Sequence, residues 1–223
     1  MAEPAIGRNL VAFGVRDPSE YDTTGERVLL DPLPLRAIAT GAIWFYNENQ
    51  PMKQLCRVKP EFLAKHRQRL LEWWDIENQH DAIKALDQLV RIGHRASQQP
   101  KLAQREAYWR QVFNEYEFLR GRPVASMAAW DYCRIVSLAA SARSVGLLDD
   151  GTANHYIHTG AQLAAERFRS WEELAVSYLA GRIMWSRADP EGDAWLGQVA
   201  TYLLNSPTNV WTTCPWEGYR RWW

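Results

Sequence analysis

Apolar residues recur at three- and four-residue steps through most of this chain, and the stretches that carry them are bounded by helix start and stop residues. The sharpest case is SWEELAVSYLAGRIMW. Ser170 followed by Glu173 forms a capping box there, and Trp171, Leu174, Ala175, Tyr178, Arg182 and Trp185 fall on one helical face. Stripes of this kind are buried by packing helix against helix, so the pattern specifies an all-α fold. Helices are expected from Pro34 to a stop at Pro51, from near Pro60 to Trp74, from an Asp75 cap to Gly93, and from Lys101 to Leu119. Others are expected from near Ser126 to Val145, after a cap at Asp149 or Asp150, after Ser170, and from Ala194 to Leu204. This makes about eight helices and almost no sheet, in one globular multi-helix domain over residues 34–223. Residues 1–33, with Pro4, Pro18 and Pro32 among glycines and aspartates, read as an irregular N-terminal arm. The tail VWTTCPWEGYRRWW carries four tryptophans without helical spacing.

Composition narrows the functional classes. A chain of 223 residues, 47% hydrophobic, is long enough to bury a real core. The formal net charge is zero and no basic run is present, which argues against a nucleic-acid partner, because phosphate neutralisation supplies most of that affinity. Cys56, Cys133 and Cys214 are odd in number and far apart, and MAEPAIGRNL has no apolar stretch behind a charged start, so the expected location is the reducing cytoplasm. No apolar run is long enough to span a bilayer, and no membrane association is expected. Twelve tryptophans call for thick helix packing, exposed anchors for a partner, or both.

Several polar residues interrupt apolar faces. In AAWDYCRIVSLAA, Asp131 and Arg134 stand three apart in an otherwise apolar helix. Arg182 lies in line with Trp171, Tyr178 and Trp185, and a buried guanidinium requires an anionic or carbonyl partner. The expected partner is Asp131, with His94 joining at the end of its own helix. Asp75, His94, Asp131, Arg134 and Arg182 are therefore read as a structural polar network that docks helices. The competing reading makes His94 and Asp131 an acid and base pair, with Arg134 or Arg182 holding an anion.

Other chemistry is weakly marked. His155 and His158 are three apart on an expected helix but lack a nearby third ligand, so no metal is expected. Cys133 reads as a small buried hydrophobe. The Gly-rich phosphate and dinucleotide loops, the H-E-x-x-H zinc motif and the G-x-S-x-G elbow are absent, and no cofactor is expected.

In order, WWDIENQHDAIKALDQLVRIGHR, AWDYCRIVSLAASARSVGLLDD, SWEELAVSYLAGRIMW and SPTNVWTTCPW resemble the pattern of a bacterial domain-of-unknown-function family, number twelve sixty-six. The resemblance covers roughly Trp74 to Trp216 and includes Gly93, His94, Arg95, Trp130, Asp131, Arg134, Gly181 and Arg182. It departs from the pattern at the end, where Trp211 comes later after Ser-Pro than is usual. The resemblance implies a mainly helical domain and lends no reaction, cofactor or catalytic residue.

The function expected from these observations is a non-enzymatic protein-binding domain, in its most concrete form an immunity or antitoxin-like protein that blocks a toxin. Trp211, Trp216, Trp222 and Trp223 are the expected partner anchors. The alternative is an enzyme or small-ligand protein built on His94, Asp131, Arg134 and Arg182.

Overall fold

Helix α7, Ala129–Ser144, forms the centre: every one of its residues except Ser141 is buried. Its lack of a polar stripe follows, since a helix covered on all sides has no solvent face to mark. In this computed structural model, which describes residues 19–23, 32–185 and 189–216, the other elements are arranged around that axis. They are α1 (Pro32–Ala39), α2 (Ala42–Asn47), α3 (Leu63–Trp74), α4 (Gln79–Arg91), α5 (Arg95–Gln104), α6 (Glu106–Asn114), α8 (Asp150–Arg167), α9 (Trp171–Trp185), α10 (Pro190–Asn205) and α11 (Val210–Thr213). Helices α8, α9 and α4 pack directly on α7, while α10 lies against α9 and α2. The only sheet among the described residues is a two-residue antiparallel pair, β1 (Tyr21–Asp22) with β2 (Arg57–Val58), in which Tyr21 faces Val58. The described residues form one all-α domain.

The close crossing of α9 over α7 depends on Gly181. A Cβ there would stand 2.5 Å from Trp130 Cβ and 3.0 Å from the Met127 carbonyl, which only backbone movement would relieve. Above this crossing, Ala129 N–H donates to Ser177 Oγ, so the first turn of α7 is tied to α9 as well as packed on it.

Helix starts follow local chemistry. Ser170 Oγ accepts from Glu173 N–H, and Glu173 Oε2 accepts from Arg169 N–H. Asp149 accepts from Thr152 N–H at the start of α8. Ser170→Ala is expected to lower stability by about 1 kcal/mol in urea unfolding, as loss of a single N-cap does; no measurable change would show that Glu173 holds the turn alone.

Other expectations need correction. Asp75 does not open α4. It ends α3 in a left-handed conformation, φ 56°, and Asn78 caps α4 by accepting from Asp81 N–H. The helix expected over 34–49 is broken at Thr40–Gly41, where Trp211 Nε1–H donates to the Ala39 carbonyl that would otherwise continue the ladder. The stretch expected as one helix from Lys101 is two, parted at Arg105, and the first begins six positions earlier at Arg95. That early start has a cause in α7, described below.

Candidate functional site

Helix α4 ends at Arg91, and the N–H groups of both Ile92 and Gly93 return to the Gln88 carbonyl. Gly93 then takes φ 62°, a left-handed conformation in which side chains are strained. A Cβ on this residue would also lie 2.2 Å from Asp131 Oδ2. Glycine is thus required twice over, by conformation and by the carboxylate pressed against it.

That carboxylate starts the next helix. His94 N–H donates to Asp131 Oδ1 at 3.0 Å and Arg95 N–H donates to Oδ2 at 2.9 Å. The first N–H groups of a helix lack internal partners, and an anion placed there also meets the positive end of the helix dipole. Asp131 therefore caps α5 from another helix, which explains why α5 begins at Arg95 with no side-chain cap of its own.

Two guanidinium groups complete the shell. Arg134 Nη2 donates to Asp131 Oδ1 at 2.6 Å and lies 2.6 Å from His94 Nδ1. An arginine only donates, so Nδ1 accepts, and the proton of the neutral ring in this arrangement sits on Nε2. The direct separation of His94 Nδ1 from Asp131 Oδ1, 3.6 Å, is too long for a hydrogen bond. Arg134 Nε also donates to the Trp130 carbonyl, and its guanidinium stacks on Trp130 and Trp74. Arg95 donates from Nη1 to the Leu89 carbonyl and to Asp131 Oδ2, and from Nη2 to the Val90 carbonyl, closing the end of α4. Burial acts to raise the Asp131 carboxyl, but the Arg134 charge and the Arg95 and His94 backbone donors outweigh it and hold the group at about 2.

Of this cluster, Asp131 and Arg134 are sealed inside, while the His94 side chain is 39% exposed. It opens on a cleft of about 490 Å³ between the ends of α3 and α4, lined by Leu71, Glu72, Trp73, Trp74, Asp75, Gln88, Leu89 and Ser97 among others. Three large apolar side chains stand out from the surface on this side. Trp73 (52% exposed) lines the cleft, Ile92 (57%) sits two residues from His94, and Trp185 (49%) meets the His94 ring edge-on at 6.1 Å.

Arg182 is elsewhere. The expected pairing with Asp131 is replaced by ion pairs to Asp193 (3.4 Å) and Asp189 (3.3 Å), at the start of α10. Trp130 touches both clusters, since Arg182 also packs over its ring at 5.9 Å. Asp193 is buried, and desolvation outweighs the opposing pull of Arg182 and pushes its carboxyl up to about 6. A carboxyl raised in the folded state contributes stability that is present below pH 4 and lost as pH rises through 6. Asp193→Asn is therefore expected to leave thermal stability unchanged near pH 4 and to raise it at pH 7.5; a lower melting temperature at pH 7.5 would mean the ion pair outweighs the desolvation.

The remaining expectations divide clearly. Asp75 stands outside the polar network, exposed at the rim of the cleft. Trp211 and Trp216 are not surface anchors: they are buried, with Trp211 stacked on Trp171 at 5.2 Å and Trp216 edge-on to it at 4.7 Å. Trp171 Nε1–H donates to the Cys214 carbonyl and fixes this tail to the start of α9. Trp222 and Trp223 lie outside the described residues. Cys133 is fully buried and its thiol is pushed far up by desolvation, an inert core residue. His155 and His158 lie on α8, and among the described residues no group of three or more His, Cys, Asp or Glu is placed to hold a metal ion. No helix among the described residues is long and apolar enough to cross a membrane.

Sequence reading gives Arg95, Trp73, Ile92 and Trp185 no part in a site: Trp73 and Trp185 fall on apolar helical faces and Arg95 enters only through the family resemblance. For Ile92 a signal exists: it is an apolar residue lying just past the stripe that ends at Val90, at the helix terminus rather than on the buried face.

Residues 69–216, which contain the Asp131 cluster and the cleft, match the model of DUF1266, described as a protein of unknown function. The chain belongs to this family. No curated protein and no solved structure matches it. The four sequence blocks thus acquire structural meaning in this chain: Gly93, His94 and Arg95 wrap the carboxylate that AWDYCR presents, and Trp185 ends the α9 block beside them.

Proposed function

We propose that this chain is a protein-binding domain whose contact face is centred on His94. The observation that carries the reading is the exposure of Trp73, Ile92 and Trp185, the large apolar side chains exposed among the described residues, near His94: Trp73 lines the cleft, Trp185 meets the His94 ring, and Ile92 directly precedes the lining residue Gly93. Exposed aromatic residues beside a concavity are the composition of interface hot spots, and scattered exposure would carry no such weight. The buried network beneath supports this use, because Asp131 and Arg134 hold His94 and the end of α4 in one geometry, and a preformed face loses little entropy on binding. The enzymatic alternative is less well supported: only His94 of its four residues lines the cleft, and Arg182 belongs to a separate cluster. An immunity or antitoxin role is the specific case in which the partner is a toxin.

The test is capture from the native host by the tagged chain at endogenous level, alongside Ile92→Asp and Trp185→Ser variants that melt as the parent does. A stoichiometric partner retained by the parent and lost by both variants is the expected result. Equal retention by all three would remove this face from consideration, and rescue of cells from an adjacent toxin would identify the specific case.

A further inference from the structure

The cleft beside His94 is bounded by two helix C-termini. The last turn of α3 and its cap supply Leu71 to Asp75, and the last turn of α4 with its glycine supplies Gln88, Leu89 and Gly93. Each C-terminus carries the negative end of a helix dipole; at α4 that end is met by Arg95 through the Leu89 and Val90 carbonyls, so the dipole facing the cleft is chiefly that of α3. Glu72 and Asp75, both exposed, add two carboxylates to the lining, and no lysine or arginine lines it.

The cations nearby are already engaged: Arg69 is paired with Glu48 and lies over the Trp73 ring at 5.3 Å, and two more arginines sit behind the wall. Arg134 is paired with Asp131 and stacked on Trp74, and Arg95 is bonded to Asp131 and to the Leu89 and Val90 carbonyls. The opposing dipole at the start of α5 is met by Asp131 through the His94 and Arg95 N–H groups. What faces the opening is acidic and aromatic, with Trp73 and Trp74 as its π surfaces.

An aromatic wall with carboxylates at its rim is the complement of a cationic side chain on a flexible stem, which gains ring stacking and ion pairing together. We infer that the cleft receives an arginine or lysine side chain presented by the partner protein. This inference rests on the binding face proposed above and adds the chemistry of its central contact. Trp73 in the lining and Trp185 against the His94 ring place apolar area beside that contact, which helps to shield a charged pair from water.

The probe is the capped amino acid Nα-acetyl-arginine amide, titrated into the isotopically labelled full chain while the indole N–H and His94 ring signals are followed by NMR. Capped lysine, citrulline and glutamate serve as comparisons. Saturable shifts of Trp73, Trp74 and His94 with arginine or lysine, absent with citrulline and glutamate, are expected. The affinity should fall about tenfold in the Glu72→Gln, Asp75→Asn double variant, whose exposed positions leave the fold intact. Equal response to citrulline, or an unchanged affinity in the double variant, overturns the inference. If a partner is captured through Ile92 and Trp185 while the double variant captures it equally well, the face stands and the cationic contact is wrong. If the cation binds but neither Ile92 nor Trp185 affects capture, the site stands and the protein-binding face is wrong.

Discussion

Asp131→Ala is expected to destabilise the fold by about 3–5 kcal/mol, the cost of stripping one partner from a buried ion pair. The carboxylate accepts from two backbone N–H groups and two guanidinium groups, so alanine leaves Arg134 charged in the interior and the start of α5 uncapped. Urea unfolding monitored by tryptophan fluorescence measures the loss. Adding Arg134→Met to the variant should recover part of it, because the unpaired charge is then gone while the lost cap remains. A melting temperature unchanged in Asp131→Ala would contradict the whole account of this cluster.

The same carboxylate predicts an acid transition. Its folded value of about 2 lies below the ordinary 3.8, so the folded state favours the ionised form. The stabilisation is fully present above pH 4 and is lost as pH falls through 2, amounting to roughly 2 kcal/mol at neutral pH. Asp193 carries the opposite sign in a higher window, between about 4 and 6, so stability against pH should show two separable slopes.

Much of this architecture is legible in sequence because helix signals are local. A capping serine and its glutamate sit three residues apart, and the Ser170 box is found where the letters place it. The interior of α7 was also readable as apolar with two polar intrusions. Which residues those intrusions meet was not readable, because it depends on how helices cross. Asp131 finds backbone N–H groups 36 and 37 residues away, a partner type no side-chain pattern reveals. Arg182 finds acids only seven and eleven positions onward, but these belong to a turn and a new helix whose direction is set by packing.

The tryptophans show the same boundary. Composition supports either packing or exposure, and the tail reads as a row of anchors because its spacing is not helical. In the structure Trp211 and Trp216 pack on Trp171, and Trp211 interrupts the first helical region by taking the Ala39 carbonyl. Trp185, which the helical face placed with the buried set, is instead half out of the surface beside His94. Ile183 and Met184 in the same turn stay buried, so only Trp185, the last residue of α9, leaves the core.

Gly93→Ala is expected to cost about 3 kcal/mol or more, and a second glycine supplies the control that explains why. Gly146 also has positive φ, 76°, after the end of α7, but a Cβ there meets nothing within 4 Å. Gly146→Ala should therefore show conformational strain alone, about 1 kcal/mol. Gly93→Ala carries that same strain together with a methyl placed on the Asp131 carboxylate, which must give up bonds to His94 and Arg95 to escape it. The difference between the two variants in urea unfolding thus isolates the carboxylate contact from backbone conformation. Comparable losses would mean that Asp131 yields easily and does not set the position of α5. A larger loss at Gly93 should be accompanied by a shifted His94 ring signal, since the backbone that carries this side chain into the cleft is the one the carboxylate holds.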